Sequence, residues 1–470
     1  MSRSLILSNS NVIRSDGSLL YRHDIVIRDG VIQSVLPSTE HAVSDCHLSL
    51  EDMEVYDCSG CFVTSGLVNL HTHSPMTVLR GIAEDVSVDR WFNEKIWPFE
   101  SILTPEDIYV GAKLAIYEML DCGVTAFCDH YFFAEKIVDA AMEAGIRADI
   151  APTIFGALPD WGDDLDDASI LIKKVNDKTD GRVKMRIGPH APYTCPPAVL
   201  AACTERAIEL KVGTHIHVSE TYDQVQESIE QYGKTPFVVL KEVGMLDIPC
   251  IIGHGIWIQE EEVFLLGEDS VFAVCPKTYL KLSSGFGNLY KLQWHCLSNH
   301  HTPDSYGFVS QSGEGVTSES GVQRLRVGIG TDGAGSSNTL NPIEQVRLYG
   351  LLAKHHLGDA SAFPCHELWR MLMNGYAVLD DNIGEVAPTY IADLVVWDLA
   401  TCHTWPVYDP LAAIIYSADA RNVRDVLVEG EFKKKAGKVL ICDEEELLQQ
   451  SGGIKERLLA AVPQASKIKY

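Results

Sequence analysis

Eight short segments rich in apolar and β-branched residues recur along the chain, separated by longer stretches of helical periodicity. The segments are VTSGLVNLHTH (63–73), GVTAFCDHY (123–131), IRADIAPTIFG (146–156), KMRIGPHAPY (184–193), VGTHIHVSE (212–220), PCIIGHGIW (249–257), VFAVCPKTY (271–279) and VGIGTDG (327–333). Strands that alternate with helices form parallel sheets, because each helix returns the chain to the same end of the sheet. Eight such units in series predict an α/β fold, a (β/α)8 TIM barrel.

The stretches between these segments carry the start and stop signals of helices. Thr104 stands at an N-cap position, Pro105 follows at the first helical position, and Gly123 ends the pattern. A second helix is predicted after Pro196 and Pro197. In both stretches apolar residues recur at the spacing of one helix face, as expected for helices that cover the outside of a barrel.

The two ends of the chain have a different character. Both contain short alternating strands and turns, and neither end is long enough for a β-sandwich of its own. We therefore expect residues 1–62 and 386–442 to combine into one small composite β-sandwich domain. The barrel would then span 63–385, and a polar helical tail would occupy 443–470 on the outside.

One segment interrupts the alternation of strands and helices. Residues 288–320, between the seventh and eighth strands, are rich in Ser, Gly and His and lack clear periodicity. They predict a long inserted loop, either a lid or a solvated insertion. The histidines and the cysteine within it match no standard zinc spacing, which argues against a second metal site there.

The charge balance argues against polyanionic partners. The chain has 65 Asp and Glu against 38 Lys and Arg, a formal net charge of −27. Nucleic acids and anionic membranes are bound mainly through Lys and Arg, so we expect neither as a partner. No apolar run approaches the roughly 20 residues that a membrane helix needs. A neutral or cationic small molecule fits this composition better.

The cysteines indicate the redox compartment. There are 13 of them, an odd number, scattered mostly through apolar segments. Free thiols in such positions are typical of a reducing compartment. The N-terminal residues MSRSLILSNSNV contain no recognisable signal peptide. We therefore expect a cytoplasmic protein.

Polar residues collect where four of the predicted strands end. They are His71 and His73 on the first strand, His215, His217 and Glu220 on the fifth, His254 on the sixth, and Asp332 on the eighth. Residues i and i+2 of a strand point to the same side, and the C-terminal strand ends form the catalytic face of a barrel. A single histidine at a strand end is usually structural, but this combination favours a metal site.

The ligand types indicate the metal and its chemistry. Neutral imidazoles with a carboxylate suit one divalent ion, Zn²⁺ first and Fe²⁺ second. A metal with an open coordination position lowers the pKa of a bound water to ~7 and supplies hydroxide at neutral pH. The two nearby carboxylates, Glu220 and Asp332, could then divide the proton transfers between them.

Taken in order, the motifs HTH, HVSE, GHG and GTDG resemble those of the amidohydrolase superfamily. The segment HTHSPMTVLRGIAEDVSVDRWFNEKIWPFE (71–100) is similar to one branch of that superfamily, which holds methylthioadenosine and S-adenosylhomocysteine deaminases and guanine, cytosine and triazine aminohydrolases. The resemblance covers nearly the whole chain apart from the insertion. It implies a metal-dependent hydrolase acting on a small heterocyclic substrate and water, and it leaves a homo-oligomer open, because relatives are commonly dimers or tetramers.

The resemblance also implies roles for individual residues. The implied metal ligands are His71, His73, His217 and Asp332. Glu220 would shuttle a proton to the ring nitrogen, Asp332 would also act as base toward the water, and His254 would hydrogen-bond the attacking hydroxide or the tetrahedral centre.

Two further positions match residues that contact substrate, namely His190 and Glu100, although a surface helix position is the alternative for Glu100. Members with two metals carry a modified lysine at the end of the fourth strand, where this chain has His190, so one metal is expected. His215 would point away from the metal.

Departures from the adenosine-type enzymes leave the substrate open. Residues 151–154 read APTI where those relatives lead into an arginine, and 274–279 read VCPKTY where they read HNPxSN. The preferred hypothesis is hydrolytic deamination of an adenine nucleoside-like compound, another purine, a pterin or a triazine. One alternative is a hydrolase that removes chloride or an alkylamine from a triazine-like ring, and another is a catalytically silent barrel scaffold.

Overall fold

A computed structural model describes residues 4–38, 53–178, 181–298, 325–379 and 382–462. Its strands, in chain order, are β1 (Ser4–Ile13), β2 (Leu19–Arg28), β3 (Val31–Pro37), β4 (Met53–Asp57), β5 (Phe62–Ser65), β6 (Leu67–Thr72), β7 (Val124–Tyr131), β8 (Arg147–Ile154), β9 (Val183–Met185), β10 (Gly188–Pro189), β11 (Thr214–Val218), β12 (Cys250–His254), β13 (Ser270–Val274), β14 (Val327–Ile329), β15 (Leu394–Trp397), β16 (Val423–Val428), β17 (Glu431–Lys435) and β18 (Lys438–Val439).

The α-helices are α1 (Val88–Arg90), α2 (Trp97–Glu100), α3 (Pro105–Asp121), α4 (Ala134–Ala144), α5 (Trp161–Asn176), α6 (Pro197–Leu210), α7 (Tyr222–Tyr232), α8 (Pro236–Glu242), α9 (Pro276–Leu282), α10 (Leu289–Ser298), α11 (Ala334–Ser337), α12 (Pro342–Leu357), α13 (Cys365–Met373), α14 (Pro410–Ala412) and α15 (Glu444–Ala461). Short 3-10 helices span Ser74–Leu79, Met245–Asp247, Glu260–Leu265, Asn374–Val378 and Ala420–Asn422, and π-helical turns span Trp91–Ile96 and Ala413–Ser417.

Strands β6 to β14 form the predicted barrel, with the fourth barrel strand divided into β9 and β10. They pair in parallel in two arcs, β6-β7-β8 with β9 and β10 on β8, and β11-β12-β13-β14. One seam between the arcs is the parallel bridge between Ile187 and Thr214. At the other seam the backbone N–H groups of Thr331 and Asp332 donate to the carbonyl oxygen of His71, at 3.0 and 2.9 Å. The (β/α)8 prediction is confirmed.

The strands of the two chain ends belong to one nine-stranded sheet, ordered β18-β17-β16-β15-β5-β1-β2-β3 with β4 paired to β1. This sheet curls back on itself, so that β3 lies against the segment before β15. There the N–H of Ile32 donates to the carbonyl oxygen of Tyr390 at 2.8 Å. Apolar side chains from both chain ends fill its interior in a cluster of their own. The prediction of a small β-sandwich built from both ends is confirmed.

The predicted first strand, 63–73, is two strands in the structure. Its first residues lie in β5, which pairs with β1 and β15, and its remainder forms β6 of the barrel. The division falls at Gly66, where a Cβ atom would lie 1.9 Å from Oγ1 of Thr125. Only glycine permits this close approach to β7, so the chain passes from the terminal sheet to the barrel within one residue.

The expectation of a structureless insertion from residue 288 is wrong for its first part. Residues Leu289–Ser298 form helix α10, which buries Leu289, Tyr290 and Gln293. The hydroxyl of Tyr349 on α12 donates to Oε1 of Gln293 at 2.7 Å. Because the polar Gln293 faces the core, the sequence of this helix lacks a clear amphipathic pattern. The rest of the insertion, from residue 299, lies outside the described residues.

The two helices predicted from their end signals correspond to α3 and α6. Thr104 caps α3 in a capping box with Asp107, and Pro105 is its first residue. Helix α15, in the predicted tail, packs on the outside of α3. There Arg457 pairs with Asp107, and Tyr117 donates to Glu444 at 2.9 Å.

A buried ion pair joins the barrel to the terminal sheet. Arg147, at the start of β8, donates to Asp393 just before β15, and both side chains are at most 4% exposed. Nη2 of Arg147 also contacts Oε1 of Glu429 at 2.8 Å. Asp393 accepts a further hydrogen bond from the backbone N–H of Glu429 at 2.8 Å. Such a pair positions two units relative to each other because neither charge can remain buried alone.

Within the described residues, no helix is long and apolar enough to cross a membrane.

Replacement of Asp393 by asparagine tests this junction. The D393N variant leaves the buried Arg147 without its principal counter-charge, and we expect the free energy of unfolding to fall by about 3 kcal/mol. The apparent Tm, measured by thermal unfolding, should fall by several degrees. E94Q is the matched control, because Arg90 and Glu94 form a pair whose side chains are more than half exposed. An equal Tm for both variants would contradict the role assigned to the junction.

Candidate metal centre and active site

The chain folds so that three histidine rings meet at the C-terminal end of the barrel. His71 and His73 lie at the end of β6, one on either side of Thr72, and His217 lies on β11. One ring nitrogen from each lies within 4.8 Å of the other two, and all three residues are buried. Gly253 on β12 makes room for this cluster, because a Cβ atom there would lie 3.2 Å from Cε1 of His71 and 3.4 Å from Cδ2 of His217.

Each ring is held through its Nδ1 atom. Nδ1 of His73 donates to the carbonyl oxygen of His130 at 2.6 Å, and Nδ1 of His217 donates to that of His190 at 2.8 Å. Nδ1 of His71 lies 2.8 Å from Nε2 of His215. Because Nδ1 is engaged in all three rings, Nε2 is the atom that each ring turns toward the shared space.

Asp332 completes the cluster after β14. Its Oδ1 atom lies 3.2 Å from Nε2 of His73 and 3.9 Å from Nε2 of His71. Its Oδ2 atom accepts hydrogen bonds from Oγ1 of Thr278 at 2.9 Å and Oγ of Ser336 at 2.8 Å. Asp332 adopts a φ of +61°, a strained conformation for a residue with a side chain, and one that often marks functional positions.

The electrostatics of Asp332 and His73 are coupled. Burial alone would raise the pKa of the Asp332 carboxyl, but its hydrogen bond and attraction to His73 hold that pKa well below its usual range. Burial alone would lower the pKa of His73, but the same contact raises it to about 9. Asp332 is therefore a carboxylate at neutral pH, which a cation at this position requires.

His215 lies behind the cluster, as expected from sequence. Its ring is fully buried, and its Nε2 atom lies 2.8 Å from Nδ1 of His71. If Nε2 of His71 binds a cation, Nδ1 of His71 carries the hydrogen and donates it to Nε2 of His215. Its other ring nitrogen, Nδ1, has no hydrogen-bond partner among the described residues. His215 therefore orients the ring of His71 and does not face the shared space.

Glu220 and His254 form a second pair beside the cluster. Oε2 of Glu220 lies 3.8 Å from Nε2 of His254, and the His254 ring stacks on His217 with centroids 5.6 Å apart. Burial raises the pKa of the Glu220 carboxyl, an effect that the nearby His254 opposes. His254 has a φ of +67°, so it shares the left-handed backbone conformation of Asp332.

The two residues matched to substrate contacts both lie near the histidines. His190 is 9% exposed, its Nδ1 atom lies 2.8 Å from Oγ1 of Thr194, and its ring centroid is 5.0 Å from that of His217. Glu100 is buried at the end of α2, where it accepts a hydrogen bond from the hydroxyl of Tyr131. Burial raises the pKa of Glu100. The alternative of a surface helix position for Glu100 is wrong, because its side chain is buried against Tyr131 of β7.

Sequence reasoning missed several residues around the site. The buried ring of His130, at the end of β7, lies 5.0 Å from His217 and contacts Oγ1 of Thr153 at 3.2 Å. Its position one residue before the end of a barrel strand was a usable signal. No comparable signal existed for Thr278, Ser336 or Tyr279, since they lie on helices after the strands and reach the site only through tertiary packing.

A cavity of about 570 Å³ is lined in part by residues 221–223, which directly follow Glu220 in the chain. The segments that line it follow β6, β11, β12 and β13, and they are residues 85–88, 221–223, Trp257 and 281–285. Trp257 donates from Nε1 to the carbonyl oxygen of Ser284 at 3.1 Å and packs 5.3 Å from the ring of Tyr222.

The donor set fits one divalent cation. Nε2 of His71 is buried and has no hydrogen-bond partner among the described residues, which is costly unless another group satisfies it. Three imidazole nitrogens with one carboxylate are the ligands typical of divalent transition metals. In the described part of the chain, a search for clustered histidine, cysteine and acidic side chains that could hold an ion finds His71, His73 and His217.

Comparison with known proteins agrees with this site. The chain is 33% identical over 462 residues to a 5-methylthioadenosine/S-adenosylhomocysteine deaminase of Desulforudis audaxviator, covering 97% of this chain and 100% of the relative. A crystal structure of an adenosine deaminase from Xanthomonas campestris with bound zinc is similar at 28% identity, with a TM-score of 0.86 and coverage of 97% and 99%. These findings support a divalent metal at the histidine cluster.

The fold is shared more widely. The structure of atrazine chlorohydrolase from Arthrobacter aurescens with zinc has a TM-score of 0.79 at 19% identity, covering 96% of this chain and all of that one, a likeness of fold. The family model for the amidohydrolase family matches residues 62–433, from β5 into β17, and so includes the whole barrel. The chain belongs to the amidohydrolase family.

Proposed function

We propose that this protein is a metal-dependent aminohydrolase that removes an amino group from an N-heterocycle as ammonia. The observation that carries the proposal is the meeting of three Nε2 atoms, the Asp332 carboxylate and the buried Glu220 in one cluster. Deaminase relatives that match nearly the whole chain support the same reaction class. The substrate is an adenine nucleoside-like compound, another purine, a pterin or a triazine.

The metal is held by His71, His73, His217 and Asp332, and Zn²⁺ is the first choice, with Fe²⁺ second. The ligand types favour zinc, and the similar adenosine deaminase structure contains it. When bound, the ion supplies Lewis-acid activation of a water molecule.

The protein's own residues handle the protons. Asp332, a carboxylate at neutral pH, takes a proton from the attacking water. Glu220, whose pKa is raised by burial, carries a proton to the ring nitrogen of the substrate. His254 donates a hydrogen bond to the attacking oxygen beside Glu220. This division follows from two carboxyl groups whose surroundings shift their pKa values in opposite directions.

The substrate lies against His190 and Glu100 and carries little negative charge. Residues 151–154 read APTI where adenosine-type relatives lead into an arginine, and the hydroxyl of Thr153 in this segment lies 3.2 Å from Nδ1 of His130. Three carboxylates, Glu100, Glu220 and Asp332, border the site, and an anionic substrate group would be repelled by them. The cavity lined in part by residues 221–223 offers room for a substituent on the ring.

An ammonia-release assay over purines, nucleosides, pterins, pyrimidines and triazines tests the reaction. We expect ammonia from at least one amino-substituted ring and none from its hydroxyl counterpart. Chloride or alkylamine release without ammonia would replace the proposal by the dechlorinating or dealkylaminating alternative. Less than ~0.2 metal equivalents per chain after metal-replete expression, with no activity, would favour a silent scaffold.

Glu220→Gln separates chemistry from metal binding. The variant keeps the shape of the side chain but cannot carry the proton, so ammonia release should fall by about 100-fold or more. Metal content, measured by elemental analysis, should stay at one ion per chain because Glu220 is not a ligand. Glu227→Gln, an exposed position on α7, serves as control and should retain full activity. Full activity of E220Q would refute the proton-transfer role.

His215 should control the affinity for the metal. His215→Phe removes the acceptor that holds Nδ1 of His71, so the zinc affinity measured by chelator competition should fall about 10- to 100-fold. His215→Gln offers an oxygen acceptor and should restore most of it. His130→Phe is the control, because that ring makes no hydrogen bond to a ligand nitrogen. Equal zinc affinities in H215F and H130F would contradict the assignment.

A further inference from the structure

Tyr279 contacts His254 from the side opposite to Glu220. It lies on α9, its side chain is 2% exposed, and its hydroxyl oxygen is 3.3 Å from Nδ1 of His254. The same hydroxyl accepts a hydrogen bond from the backbone N–H of Cys275 at 2.9 Å. The phenol thus bridges the start of α9 and the ring of His254, within the segment where this chain departs from its adenosine-type relatives.

The hydrogen bonds of the Tyr279 hydroxyl bear on which nitrogen of His254 carries the proton. A backbone N–H can only donate, so the phenol oxygen is the acceptor from Cys275, and the phenol has one proton of its own to give. The hydroxyl oxygen that carries this proton lies 3.3 Å from Nδ1 of His254. If Nδ1 accepts it, the neutral imidazole carries its hydrogen on Nε2, the atom that lies 3.8 Å from Oε2 of Glu220.

We propose that Tyr279 is a positioning residue that holds His254 in the Nε2–H tautomer, so that the ring presents a hydrogen-bond donor to the attacking oxygen. This rests on the function proposed above for His254. The opposite tautomer would turn a lone pair toward the Glu220 carboxylate and the attacking oxygen, which is repulsive. A donor already oriented before the reaction stabilises charge that develops in the transition state.

Tyr279→Phe removes the phenol proton and little else. In the zinc-loaded, full-length protein we expect kcat for the substrate found in the ammonia screen to fall at least about tenfold, since loss of one oriented donor typically costs 10²- to 10³-fold. The KM should change by less than about twofold, and the zinc content should not change. Tyr349→Phe is the matched control, because Tyr349 is equally buried but donates to Gln293 on α10. An unchanged kcat in Y279F, or an equal loss in Y349F, would overturn the proposal.

The tautomer can also be observed directly, whether or not a substrate is found. In ¹⁵N-histidine-labelled zinc protein, long-range ¹⁵N–¹H correlation spectra distinguish Nδ1–H from Nε2–H imidazoles, and the signal absent from His254→Gln belongs to His254. We expect the Nε2–H form in the wild type and a mixture in Y279F. An Nδ1–H form in the wild type would overturn the proposal even if Y279F failed to fold. Failure to release ammonia from any heterocycle would count against the proposed function alone.

Discussion

The carbonyl oxygen of His71 accepts the backbone N–H groups of both Thr331 and Asp332, and this contact closes the barrel between its first and last strands. It joins residues about 260 positions apart in the chain. Because Asp332 begins the loop at this seam, closure of the barrel also brings its carboxylate to 3.2 Å from Nε2 of His73. If the seam opened, the histidines of β6 would lose their carboxylate partner. Fold stability and site assembly therefore depend on the same hydrogen bonds.

In each of the three clustered histidines, Nδ1 makes a hydrogen bond to the surrounding protein and Nε2 faces the shared space. Nδ1 of His73 and Nδ1 of His217 are each held by a backbone carbonyl, which can only accept, so Nδ1 carries the hydrogen in both rings. Nδ1 of His71 instead contacts another imidazole, that of His215, which can donate or accept depending on its own tautomer. Nδ1 of His254 likewise contacts a side chain, the hydroxyl of Tyr279, which can donate or accept. The tautomers of His71 and His254 therefore depend on the side chains of His215 and Tyr279. Substitution of those two partners should alter function while the clustered histidines and Asp332 stay in place.

The sequence predicted much of the architecture because its patterns are local. Eight apolar segments, the caps at Thr104 and Pro105, and the HTH and HVSE motifs can all be interpreted within windows of a few residues. The errors arose where tertiary contacts overrode a local pattern. The continuous apolar run of residues 63–73 is divided at Gly66, because β7 packs against that glycine. Helix α10 was not predicted, because one of its buried residues, Gln293, is polar and pairs with Tyr349. For Glu100 a surface helix position stayed open as the alternative, because its burial against Tyr131 depends on packing between α2 and β7.

The sequence by itself determined the residue types of the site, their order on the strands, and the family to which the chain belongs. Those properties reside in residue identity and in the alternation of side chains along single strands. Only the tertiary structure decided which nitrogen of each clustered histidine faces the shared space. It also places Thr278 and Ser336 in hydrogen bonds to Asp332, and the hydroxyl of Tyr279 beside His254. Each of these depends on a hydrogen bond of about 3 Å between residues on different elements, and no spacing along the chain encodes such a distance.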